Sequence, residues 1–84
     1  MLELEPVIKL LGEIIEDRTV PRNIRMAAET AKKDLEDNNK DMDVRLNSAI
    51  SVLDEITNDP NIPMYTRTQI WNVVSMLETA KREL

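Results

Sequence analysis

Two groups of carboxylates, Glu13, Glu16 and Asp17 in the first half and Asp54, Glu55 and Asp59 in the second, are the side chains best suited by type to bind a metal or divide general acid and base work. The rest of the chain argues against both. Helical dimetal centres use Glu-x-x-His pairs on facing helices, and this chain has no histidine. Ser48, Ser51 and Ser75 have no histidine to act as base, and cysteine is absent, so nucleophilic catalysis lacks its usual partners. Gly12 is the sole glycine, which excludes a glycine-rich phosphate loop. The expectation is a protein that is not an enzyme, with no catalytic residue, cofactor or metal.

One element with chemical character occurs twice. Asp17, Val20, Pro21 and Arg25 spell D-x-x-[V/I]-P-x-x-x-R, and Asp59, Ile62, Pro63 and Arg67 spell it again. An Asp before a helix start accepts hydrogen bonds from turn N–H groups, where negative charge is favoured. An arginine one turn into that helix is placed to reach back and pair with it. The element is therefore read as a structural turn closed by a salt bridge, in preference to a pair of anion sites. Arg18, Arg22, Arg25, Lys32 and Lys33 form the most basic segment, and the alternative function is nucleic-acid association through this second helix. Glu29 and Asp34 interrupt it, no stacking aromatic accompanies it, and the net charge of −5 opposes phosphate backbones, so nucleic acid is not expected as a partner.

The elements that position these residues come from a duplication. At an offset of 42 residues Ile8 meets Ile50, Leu11 meets Leu53, Glu13 meets Glu55, Ile14 meets Ile56 and Asp17 meets Asp59. The match continues through Pro21 and Pro63, Arg25 and Arg67, Leu35 and Leu77, without a gap. A period near 40 residues is that of a helical hairpin. In the first helix Val7, Ile8, Leu11, Ile14 and Ile15 share a face, and the helix stops near Glu16–Asp17. Pro21 opens the second, with Ile24, Ala27, Ala28, Ala31 and Leu35 inward. Residues 36–41 are a polar linker, with Asn39 or Asp41 as N-cap of a third helix through Leu46, Ala49, Ile50, Leu53 and Ile56. Pro60 breaks the chain, and Pro63 starts a fourth helix facing inward through Thr66, Ile70, Val73, Leu77 and Leu84.

The expected fold is all-α: a four-helix antiparallel bundle built from two repeated helical hairpins, one domain over residues 1–84 with units of about 1–38 and 39–84. Leu10 and Val52 favour this over a two-repeat slab, because they widen the first and third helices toward two neighbours each. At 42% hydrophobic and 32% charged the chain is globular in composition. It has no basic leader and no apolar run near the ~20 residues that span a bilayer. A cytoplasmic protein without membrane contact is expected.

The two copies also differ. Where the first has Arg22, Asn23, Glu29 and Lys32, the second has Met64, Tyr65, Trp71 and Val74. If the charged set faces solvent, the second set puts large apolar groups on an equivalent outer surface. This is the expected interface, for a protein partner or for self-association.

The run from Ile50 to Glu78, ISVLDEITNDPNIPMYTRTQIWNVVSMLE, together with the upstream VPRNIRMAAETA, resembles uncharacterised protein family 0147, a group of small archaeal proteins. The resemblance covers essentially the whole chain. It implies a compact four-helix bundle of archaeal, cytoplasmic origin and no activity. Asp59, Pro60, Asn61, Pro63, Thr66, Arg67 and Trp71 lie on its signature, which assigns them no role.

Overall fold

Aliphatic residues at three- and four-residue spacing, broken by prolines, fold here into four α-helices. The computed structural model describes residues 3–84, and among these there is no strand. The helices are α1 (Glu5–Glu16), α2 (Arg22–Glu36), α3 (Met42–Ile56) and α4 (Met64–Arg82). Pro6 sits in the first turn of α1, where the missing N–H would have had no partner. Pro21 and Pro63 are the N-cap residues of α2 and α4, and Asp41 is that of α3. The Asp41 carboxylate makes no capping hydrogen bond.

The core is a single cluster drawn from all four helices. Val7, Leu11 and Ile14 of α1 meet Ile24, Ala28, Ala31 and Leu35 of α2, Leu46, Ala49, Ile50 and Leu53 of α3, and Ile70, Val73 and Leu77 of α4. Among the described residues Thr66 is the one buried polar residue, and Val20 and Ile62 plug the core from the first and third connections. Helix α1 packs on α2, α2 on α3, α3 on α4, and α4 returns to α1, so every helix has two neighbours. Leu10, Ile15 and Ile56 lie half-buried at the edge of the cluster. Leu84 does not join the inner face of α4. The helix ends at Arg82, and Leu84 lies beyond it at 61% exposed.

The three connections are built alike. In each, an Asp carboxylate oxygen accepts the backbone N–H two residues on: Asp17 from Thr19 at 2.9 Å, Asp37 from Asn39 at 3.0 Å, and Asp59 from Asn61 at 2.8 Å. The Asp carbonyl then accepts the N–H of Val20, Lys40 or Ile62 at 3.1–3.2 Å. These are Asx turns, in which a short side chain replaces the backbone acceptor that the ended helix no longer supplies. The next helix begins with the N–H of Arg25, Arg45 or Arg67 donating to the carbonyl of Pro21, Asp41 or Pro63. Among the described residues none takes a positive φ, so none of the corners depends on glycine.

Candidate interaction surface

The inner face of α2 repeats in α4. Ile24, Ala28, Ala31 and Leu35 are buried, as are Thr66, Ile70, Val73 and Leu77. Fixing the inner face fixes the outer one. On α2 the exposed residues up to Lys33 are Arg22, Asn23, Met26, Glu29, Thr30 and Lys33. On α4 the exposed residues up to Ser75 are Met64, Tyr65, Thr68, Trp71, Asn72 and Ser75, each at the equivalent position. The first set is laced with charge and carries a Glu29–Lys33 ion pair at 3.2 Å. The second contains no ionisable acid or base except the Tyr65 phenol. Met64 is 82%, Tyr65 71% and Trp71 56% exposed.

Val74 does not belong to this surface. It packs half-buried against the core edge, beside the buried Val73. Its counterpart Lys32 is half-buried as well, because a lysine stem lies along apolar surface while its ammonium reaches water. Thr68 and Ser75, which a search for apolar substitutions passes over, take the place of Val74 in the exposed stripe.

The expected Asp–Arg salt bridges do not form. Among the described residues the ion pairs within 4.0 Å are Glu29–Lys33 and Asp37–Lys40, and neither Asp17–Arg25 nor Asp59–Arg67 is one of them. Each Asp is engaged by its own turn. Asp17 also accepts the Thr19 hydroxyl at 2.6 Å, and Asp59 accepts the side-chain amide of Asn23 at 2.7 Å, which ties the first turn of α2 to the third corner. The Nε atoms of Arg25 and Arg67 are buried and have no hydrogen-bond partner among the described residues. Arg45, at the same place after the middle corner, is the arginine that reaches back. Its Nε donates to the Leu35 carbonyl at 3.0 Å, and its Nη2 donates to the same oxygen. The signal for it was available: Arg45 follows Asp37 at the spacing by which Arg25 follows Asp17.

The Thr19 hydroxyl, and after it the Thr19 amide, hold the Asp17 carboxyl below its ordinary value of 3.8. A depressed carboxyl stabilises the fold above its unfolded-state pKa, and that contribution is lost as pH falls through the lower, folded-state value. Titration followed by NMR should therefore place Asp17 below 3.8 in the native chain and return it toward 3.8 in Thr19→Ala. An identical Asp17 titration in both proteins would refute the assignment.

The two carboxylate groups do not gather into a site among the described residues. Glu13, Glu16, Asp54 and Glu55 are exposed, and among the described residues no three acids gather as metal ligands. Among the described residues no helix is long and apolar enough to cross a membrane.

Comparison with known proteins decides the family. The profile of the uncharacterised protein family UPF0147 matches residues 2–80. The chain belongs to UPF0147. The family's protein MJ1419 from Methanocaldococcus jannaschii is 55% identical over 78 residues, covering 93% of this chain and 84% of that protein. A UPF0147 protein of Sulfurisphaera tokodaii is 49% identical over 79 residues, covering 94% of this chain and 89% of its own. Among solved structures, the protein of unknown function MMP1188 superposes with a TM-score of 0.89 at 49% identity, covering 94% of each chain. A UPF0147 protein from Thermoplasma acidophilum gives 0.88 at 39% identity, covering 92% of this chain and 91% of that one. The family is an uncharacterised one, so membership carries over no activity and no site residue.

Proposed function

We propose that this UPF0147 protein is a non-enzymatic protein-interaction module: a cytoplasmic four-helix antiparallel bundle of two duplicated hairpins, meeting its partner through the outer face of α4. The bundle reading draws on the closed cycle of helix contacts and the short connections between neighbours. The duplication reading draws on the buried pairs Leu11 and Leu53, Val20 and Ile62, and Leu35 and Leu77. The non-enzymatic reading follows from side-chain chemistry, since neither a histidine nor a cysteine is present to move protons or attack.

The observation that carries the interaction reading is Trp71, 56% exposed where α2 has Glu29. Large exposed aromatics beside other apolar groups are enriched where proteins meet, and they cost solvation where they do not. A photo-reactive benzophenone amino acid at position 71 should form covalent protein adducts in native cell extract, and the same group at position 29 should not. No adduct at 71, or equal labelling at both positions, would sink the proposal.

A further inference from the structure

We infer that the partner of this face is a second copy of the chain, docked antiparallel with α4 against α4. The inference rests on the interaction reading above and commits it to one occupant. Three features point to it.

The first is spacing. Met64, Thr68, Trp71 and Ser75 are all exposed and follow one another at steps of four, three and four residues. Alternating steps of four and three are those of positions along a seam between two helices, here over a length of roughly 16 Å. The steps read the same from either end. A two-fold axis passing between Gln69 and Ile70 therefore sets Met64 opposite Ser75 of the second copy and Trp71 opposite Thr68.

The second is size. In that arrangement a large side chain always meets a small one, which is how facing layers interdigitate. A parallel pair would set Met64 on Met64 and Trp71 on Trp71 and leave a gap between the two Ser75 side chains.

The third is charge. Two chains of net charge −5 repel, and the stripe contains no charged group that would have to be buried on contact.

Because the natural chain has no cysteine, engineered ones report the geometry without background. Under mild oxidation a mixture of Met64→Cys and Ser75→Cys proteins should form a mixed disulfide dimer, while Met64→Cys alone should stay unlinked, its two positions lying roughly 16 Å apart. Sedimentation of the purified native chain should show a concentration-dependent dimer. Trp71→Glu should weaken it by roughly tenfold or more, with the helical far-UV spectrum unchanged. Ready linkage of Met64→Cys to itself would overturn the antiparallel arrangement. A monomer at all concentrations would overturn self-pairing. If position 71 then still cross-links to a different protein, the interaction reading survives; if it cross-links to nothing, both fall.

Discussion

Leu53→Ala is expected to lower the unfolding free energy by about 3 kcal/mol and the thermal midpoint by roughly 15 °C. Leu53 is fully buried near the C-terminal end of α3, in the core to which all four helices contribute. Removing its branched end takes apolar surface out of a packed environment and leaves a cavity that the aliphatic neighbours fill only in part. A domain of this size holds on the order of 4–13 kcal/mol in total, so the loss is a large fraction of its stability. Val44→Ala, on the same helix but 44% exposed, should change stability by less than ~0.5 kcal/mol. Urea titration of both variants checks the contrast. A Leu53→Ala cost below ~1 kcal/mol would show that this core is not packed as described.

Arg45→Ala should cost about 2 kcal/mol, the second largest effect. The guanidinium lies half-buried across the middle corner and donates twice to the Leu35 carbonyl, one of the acceptors left open where α2 ends. A cation there also meets the negative end of the α2 dipole. Truncation strands the carbonyl and removes the aliphatic stem that covers it. Lysine keeps the charge but lacks the planar fork, so Arg45→Lys should recover only part of the loss. Arg25→Ala is the instructive control. Its Nε has no acceptor among the described residues, so its removal should cost clearly less than that of Arg45. Equal costs at positions 25 and 45, measured by denaturant midpoint, would mean that the Leu35 contact contributes nothing.

The helices and their inner faces were legible in the residues, because burying one stripe of a helix forces apolar groups to recur with the helical period, and proline marks where the period must stop. Leu11, Ile24, Leu46 and Ile70 could be placed on that ground alone. The corners were legible as corners but not in their wiring. Reading Asp17 and Arg25 as a pair treats opposite charge as sufficient. A carboxylate two atoms from its own backbone is satisfied by the nearest N–H first, at much lower entropy cost than holding a long arginine. The α4 surface shows the same limit. The differences between the two halves point to Met64, Tyr65 and Trp71, but only where a charged residue marks an exposed position. Lys32 is half-buried, and Val74 at the equivalent place is half-buried with it. Thr68 and Ser75 become visible only when the outer face is counted by position and not by hydrophobicity.

The cycle of helix contacts has a kinetic consequence. Three of its four seams join neighbours in the chain, and each can form once a connection of a few residues has closed. The fourth, α1 against α4, brings Leu4 and Val7 beside Met76 and Ala80 across nearly the full length of the chain. Loop-closure entropy grows with the logarithm of the span, so this seam carries the greatest closure cost of the four. Contacts between neighbours in the chain are of the kind that form fastest, and the α1–α4 seam is the one that needs the whole chain gathered first.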